Sequence, residues 1–262
     1  MSLKIGDLVT RKSHEHDMVF CILDIEDNNN CILKGMNIRL IADSPMEDLK
    51  IYEEDKDIEN DRDFLEKISP LPILDRCDYF YLPGKILHID ADKDYLERCL
   101  AYYKKHNLWA IGIQENESDI SYKIRDLLNE YNPNIVVITG HDAYYKRKGD
   151  INDITAYRNS QNFVDAVNEA RKYEKSHEKL LIIAGACQSN YEELIKAGAN
   201  FASSPKRVNI HALDPAIIAS KLSLSAVTED IDLKGILEDT KYGTNGIGGI
   251  LTKGTMYMGY PR

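Results

Sequence analysis

At 262 residues, 43% hydrophobic and 29% charged, the chain has room for one large domain, or a large and a small one, with a substantial core. Its 43 Asp and Glu outnumber 33 Lys and Arg for a net charge of −10, which argues against general attraction to nucleic acid. No apolar run approaches the roughly 18–20 residues that span a bilayer. The opening Met1-Ser-Leu-Lys-Ile-Gly-Asp-Leu8 lacks a signal peptide's apolar core. No membrane partner is expected, and a cytoplasmic location is.

Residues 1–52 read as a small β module. Ile5-Gly-Asp-Leu-Val9, Met18-Val-Phe-Cys-Ile-Leu23, Cys31-Ile-Leu33 and Arg39-Leu-Ile-Ala42 are strand-like runs, separated by polar turns such as Asp27-Asn-Asn-Asn30. Several short strands in so small a span suggest an SH3-like or KOW-like barrel that docks a peptide or RNA, or simply packs on the rest. Residues 53–78 read as an exposed linker, a mixed charge run followed by Ser69-Pro-Leu-Pro72.

From residue 79 to 262 strands and helices alternate, as in an α/β domain with a mostly parallel, doubly wound sheet. Lys85–Asp90, Trp109–Ile113, Pro133–Thr139 and Leu180–Ala184 are successive strands, and Asn200–Pro205 is a short fifth. Asp94–Lys105, Ser118–Tyr131, Thr155–Glu174, Tyr191–Gly198 and Asp214–Leu222 carry helical apolar spacing. The glycine-rich tail from Gly243 lacks the strand–GxGxxG–helix order of a nucleotide loop and reads as a β-hairpin packed on the sheet.

Two strands end in reactive side chains. Ile135-Val-Val-Ile-Thr-Gly140 runs into His141, and Leu180-Leu-Ile-Ile-Ala-Gly-Ala186 into Cys187, 187 − 141 = 46 positions later. Open α/β sheets place their chemistry at the carboxyl ends of strands. If the strands are neighbours, the two groups form a dyad: His141 takes the proton of Cys187, whose thiolate attacks a carbonyl, and returns it to the leaving amine. A following helix would favour the anion on Cys187. The backbone amides of Asp142 and Cys187 are the candidate oxyanion donors. Ser203 and Ser204, at the end of the next strand, are a candidate pocket wall on position alone. His211 is the alternative base, and His88 reads as core. No metal or organic cofactor is required. The five cysteines (21, 31, 77, 99 and 187) lack CxxC spacing, so neither a disulfide framework nor a structural zinc site is expected. Four of them read as small hydrophobes.

The blocks ending in His141 and Cys187 resemble the two motifs of caspase-like cysteine peptidases, with their roughly 50-residue separation. Asp142 stands where those peptidases have glycine. Over nearly its whole length the chain also resembles the YabG family of sporulation-specific peptidases of spore-forming Firmicutes. The matching stretches are Ile5-Gly-Asp-Leu-Val-Thr-Arg-Lys12, Pro83-Gly-Lys-Ile-Leu-His-Ile-Asp90, Ile138-Thr-Gly-His-Asp-Ala-Tyr144, Gly185-Ala-Cys-Gln-Ser189 and Ala197-Gly-Ala-Asn-Phe-Ala-Ser-Ser-Pro205 with its continuation to Pro215. The resemblance implies a caspase-like fold and a cysteine endopeptidase made in the mother cell and later associated with the spore coat. It implies cleavage after arginine in spore coat and cortex-associated proteins, and in the enzyme itself. The residues alone also allow a non-catalytic coat scaffold or a thiol amidohydrolase acting on small amides, and they leave the oligomeric state open.

Overall fold

The computed structural model describes residues 3–52, 61–74 and 77–261. The amino-terminal part supplies five strands: β1 (Leu8–Arg11), β2 (Val19–Ile25), β3 (Asn30–Gly35), β4 (Ile41–Pro45) and β5 (Leu49–Ile51). They form an antiparallel sheet in the order β4-β3-β2-β1-β5. Val9, Phe20, Ile22, Cys31 and Leu33 alternate inward and are fully buried, the period-2 pattern of a one-faced sheet. The expected barrel does not close. β4 and β5 are the two edges, and no pairing joins them among the described residues. Both are short, and the β3–β4 connection is spent on contacts with the second sheet.

Residues 53–60 and 75–76 of the expected linker lie outside the described residues. Between them a short helix, α1 (Asp61–Leu65), is docked rather than exposed: Phe64 is buried, its ring 4.1 Å from that of His211, and Asp61 pairs with Arg98.

The remaining elements are β6 (Phe80–Leu82), β7 (Ile86–Asp90), α2 (Lys93–Lys105), β8 (Ala110–Gln114), α3 (Glu117–Tyr131), β9 (Ile135–Thr139), α4 (Ser160–Tyr173), β10 (Leu181–Ala184), α5 (Tyr191–Ala197), β11 (Phe201–Ser203), α6 (Asp214–Leu224), α7 (Leu233–Glu238), β12 (Ile247–Gly249) and β13 (Tyr257–Gly259). Six strands form one sheet in the order β12-β11-β10-β9-β7-β8, parallel except for β12. Every residue of β7, β9 and β10 is buried, as expected of parallel strands covered on both faces. Ile135 and Val137 face the core shared with α2, α6 and the amino-terminal sheet, whereas Val136 and Ile138 face α3, α4 and α5. The first of these cores runs without a break from Val9 and Phe20 to Ile217, so the two sheets share one hydrophobic interior.

Two expectations of detail are corrected. The helix expected over 155–174 is a 3₁₀ turn (Ile154–Ala156), an extended break at Tyr157, and then α4. The tail strands do not form a hairpin. β12 pairs with β11, whereas β13, seven intervening residues further along the chain, pairs with β6 in a separate two-stranded ribbon.

Candidate active site

β9 and β10 are neighbours, with Ala184 opposite Ile138, the same 46-residue offset that separates Cys187 from His141. The strand order reverses between β7 and β9, since β8 lies on one side of β7 and β9 on the other. Such a switch point opens a crevice at the carboxyl ends of the strands. His141 emerges there, between the end of β7 and the end of β10.

The backbone around both groups is fixed. The His141 N–H donates to Glu117 Oε1 at 2.8 Å, and Asn159 Nδ2 donates to the His141 carbonyl at 2.8 Å. Gly185 has φ +100°, and a Cβ there would stand 2.8 Å from Leu194 Cδ1, so the turn leading to Cys187 requires glycine. The Asp142 carboxylate makes no hydrogen bond to the imidazole. It accepts from Ser160 Oγ (2.5 Å) and Ser189 Oγ (2.8 Å) and from the N–H groups of Asn159 (2.8 Å) and Ala143 (2.9 Å), tying the histidine loop to the cysteine loop. Burial raises the Asp142 carboxyl above its ordinary value, partly offset by these donors. The peptide N–H groups of Asp142 and Cys187 donate to no acceptor among the described residues.

The partner of the imidazole is Asp92, which the sequence reading did not single out. His141 Nε2–H donates to Asp92 Oδ2 at 2.9 Å, and Nδ1 is buried without a partner. Asp92 also caps α2, its Oδ1 accepting from the N–H groups of Asp94 and Tyr95. The signal was present: Asp90-Ala-Asp92 closes the strand adjacent to β9 and opens a helix. Tyr95 lies beside the pair, its ring 5.6 Å from that of His141.

The thiol is not where an attacking group would be. Cys187 is fully buried, and its Sγ accepts from the Ile210 N–H at 3.2 Å instead of meeting His141. Burial pushes the thiol up to about 12. The helix-dipole argument therefore does not hold here: α5 begins at Tyr191, beyond the reach of a first-turn effect, and desolvation outweighs it. The 208–212 segment covers the sulfur. It is gripped from the amino-terminal sheet by Arg39 N–H to the Ile210 carbonyl (3.1 Å) and by Ala212 N–H to the Asn37 carbonyl (3.0 Å).

His211 is buried on this segment. Its Nδ1 accepts from the Leu213 N–H at 3.2 Å, and burial lowers it to about 3, so it stays neutral. His88 is core, hydrogen-bonded through Nδ1 to the Tyr103 hydroxyl at 2.8 Å. Ser203 and Ser204 are buried; Ser204 Oγ donates to the Val208 carbonyl and accepts from the Gln188 N–H (3.0 Å). Among the described residues no group of three or more His, Cys, Asp and Glu side chains is arranged to hold a metal ion, and no helix is long and apolar enough to cross a membrane.

The family model described as YabG peptidase U57 matches residues 4–71 and 73–261. The chain belongs to that family. It is 43% identical over 286 aligned positions to the sporulation-specific protease YabG of Bacillus subtilis (strain 168), an alignment covering 100% of this chain and 99% of that protein. No solved structure matches. The chain is therefore a peptidase of a sporulation-specific family, and the scaffold and small-amide readings are set aside.

Proposed function

We propose that the protein is a cysteine endopeptidase in which His141 and Cys187 form the dyad. The observation that carries this is the pairing of β9 with β10 in a register that brings the two strand ends level, beside the switch point between β7 and β9. Nδ1 of His141 takes the thiol proton, leaving thiolate and imidazolium. The thiolate adds to the scissile carbonyl, whose oxyanion meets the Asp142 and Cys187 peptide N–H groups. Collapse expels the amine with the imidazolium proton, and water, deprotonated by the same nitrogen, releases the acyl group. Attack requires Sγ to leave Ile210, so the arrangement described is the resting form.

By kinship with a sporulation-specific protease, the substrates are spore coat and cortex-associated proteins and the chain itself. The enzyme is made in the mother cell, cytoplasmic at first, then associated with the coat. Cleavage follows arginine, with the Ser203–Ser204 turn near the P1 site. In this reading residues 79–262 are a caspase-like peptidase unit, 53–78 a linker and 1–52 a β module. The test is digestion of an unfolded, arginine-containing protein by wild type, Cys187→Ala and His141→Ala, with mass spectrometry of the cut sites. Cuts after Arg by wild type alone are expected. Equal cutting by all three refutes the dyad.

A further inference from the structure

The imidazole of His141 is held by a carboxylate that is itself held from another sheet. Lys34, on β3 of the amino-terminal sheet, reaches across to Asp92, with Nζ 2.8 Å from Oδ2 and 2.9 Å from Oδ1. The lysine and the aspartate are both largely buried at this contact. Lys34 also contacts Asp94 at 2.7 Å and lies over the Tyr95 ring, 4.7 Å from its centroid. Tyr95 returns the grip by donating its hydroxyl to the Gly35 and Ile38 carbonyls at 2.5 and 2.9 Å. Burial would raise the Asp92 carboxyl, but the hydrogen bonds from His141 and Lys34 hold it well below the usual carboxylate range. Asp92 is therefore an ionised acceptor at any working pH, and an acceptor fixes which ring nitrogen carries hydrogen. The other charged and titratable groups about the ring are Glu117 on α3, which takes the His141 peptide N–H, Tyr95 on α2, and Asp142 and Cys187 on the adjoining loops. None of them has a hydrogen bond to the ring.

We infer that Asp92 is the positioning residue of this peptidase and that Lys34 completes it, so that the amino-terminal sheet forms part of the catalytic apparatus. Asp92 keeps hydrogen on Nε2 and leaves Nδ1 bare to accept a proton. Lys34 keeps Asp92 in place and limits its rotation away from the ring. This rests on the dyad reading, because positioning matters to cleavage only if His141 is the base.

The test uses the full chain with Asp92→Asn, Lys34→Met and Lys34→Arg. Asparagine retains the side-chain oxygen that caps α2, so the helix start survives while the charged acceptor for the imidazole is lost. The ¹⁵N resonances of the His141 ring read the tautomer directly, a property that a purely structural role does not move. Hydrogen on Nε2 is expected in the wild type, and a tautomer mixture in Asp92→Asn. On an unfolded arginine-containing protein, kcat is expected to fall about 10²–10⁴-fold in Asp92→Asn, as for a wrongly held general base. KM should stay within about threefold. Lys34→Met should lose about 3–30-fold and Lys34→Arg should recover most of it. Asp92→Asn cutting within threefold of wild type, or a wild-type ring protonated on Nδ1 with Nε2 bare, overturns the inference. Failure of the dyad is read separately: if Cys187→Ala or His141→Ala cuts like wild type while the tautomer is as expected, Asp92 holds an imidazole the reaction does not use. In a preparation that cuts nothing, the tautomer decides.

Discussion

Replacing Arg39 by Met tests the contact between the two sheets at its centre. Arg39 is fully buried. Its Nη1 donates to Asp90 Oδ2 at 2.6 Å, and Nε and Nη2 donate to the Ala212 carbonyl at 3.1 and 2.9 Å. Methionine keeps much of the stem's volume and removes every side-chain donor while leaving the peptide N–H that meets the Ile210 carbonyl. What is left is a buried carboxylate at Asp90 and a carbonyl with only the weak Cys99 thiol contact. Removing one partner of a buried ion pair costs about 3–5 kcal/mol. Typical total stabilities are about 5–15 kcal/mol. At about 2–4 °C per kcal/mol for a chain of this size, Tm should fall by roughly 6–20 °C. The pH dependence carries a sign. In the wild type, burial would raise Asp90, but Arg39 outweighs it and the carboxyl lies below its unfolded value. That stabilisation is complete above the unfolded pKa and is lost as pH falls through the folded one. In Arg39→Met the burial effect is no longer opposed by Arg39, and only His88 and the Asp92 peptide N–H still lower the carboxyl, so the folded value rises relative to wild type. The deficit is then greatest near neutral pH and shrinks as Asp90 gains a proton. Urea midpoints of wild type, Arg39→Met and Arg39→Met/Asp90→Leu at pH 7.5 and pH 5 measure all of this. The double variant should recover most of the loss, since an apolar pair needs no desolvation. A single-variant deficit below about 1 kcal/mol, or one equal at both pH values, refutes the reasoning.

Asp142→Ala strands two hydroxyls and two peptide N–H groups around the loops that carry His141 and Cys187. About 2–4 kcal/mol of stability should go with it, and a urea-derived loss below about 0.5 kcal/mol would show that the carboxylate is not the tie described. Iodoacetamide at near-neutral pH should label exposed Cys77 well before Cys187, whose buried thiol is pushed up to about 12. Arg39→Met, by removing the side-chain donors that hold the Ala212 carbonyl, should speed Cys187 labelling at least about tenfold, since access then follows local opening. Labelling of Cys187 as fast as Cys77 in the native wild type contradicts the resting form.

Much of the parallel sheet was legible because strands buried on both faces are near-continuous apolar runs. Ile135–Thr139 and Leu181–Ala184 announce themselves, and their shared 46-residue offset already carried the register. β6 and β13 were not legible, being three residues each with half or more of their side chains exposed, so they carry no apolar pattern. The closed barrel failed because the alternation that marks a strand says nothing about which edges meet. Asp92 escaped notice because local sequence presents it as a helix cap, and only the adjacency of β7 and β9 turns a cap into a partner for His141. The burial of Cys187 depends on Ile210, Arg39 and Asn37, contacts between segments up to 175 residues apart that no local window contains.

The route of Arg39 across the molecule also sets an order of events in time. The amino-terminal sheet leaves the ribosome first, carrying a guanidinium whose acceptors, Asp90 and the Ala212 carbonyl, follow 51 and 173 residues later. Until then the loop bearing Arg39 has nothing to close upon, and at 5–20 residues per second Ala212 is about 9–35 s behind. The cover over Cys187 is thus laid by a late segment on an early one.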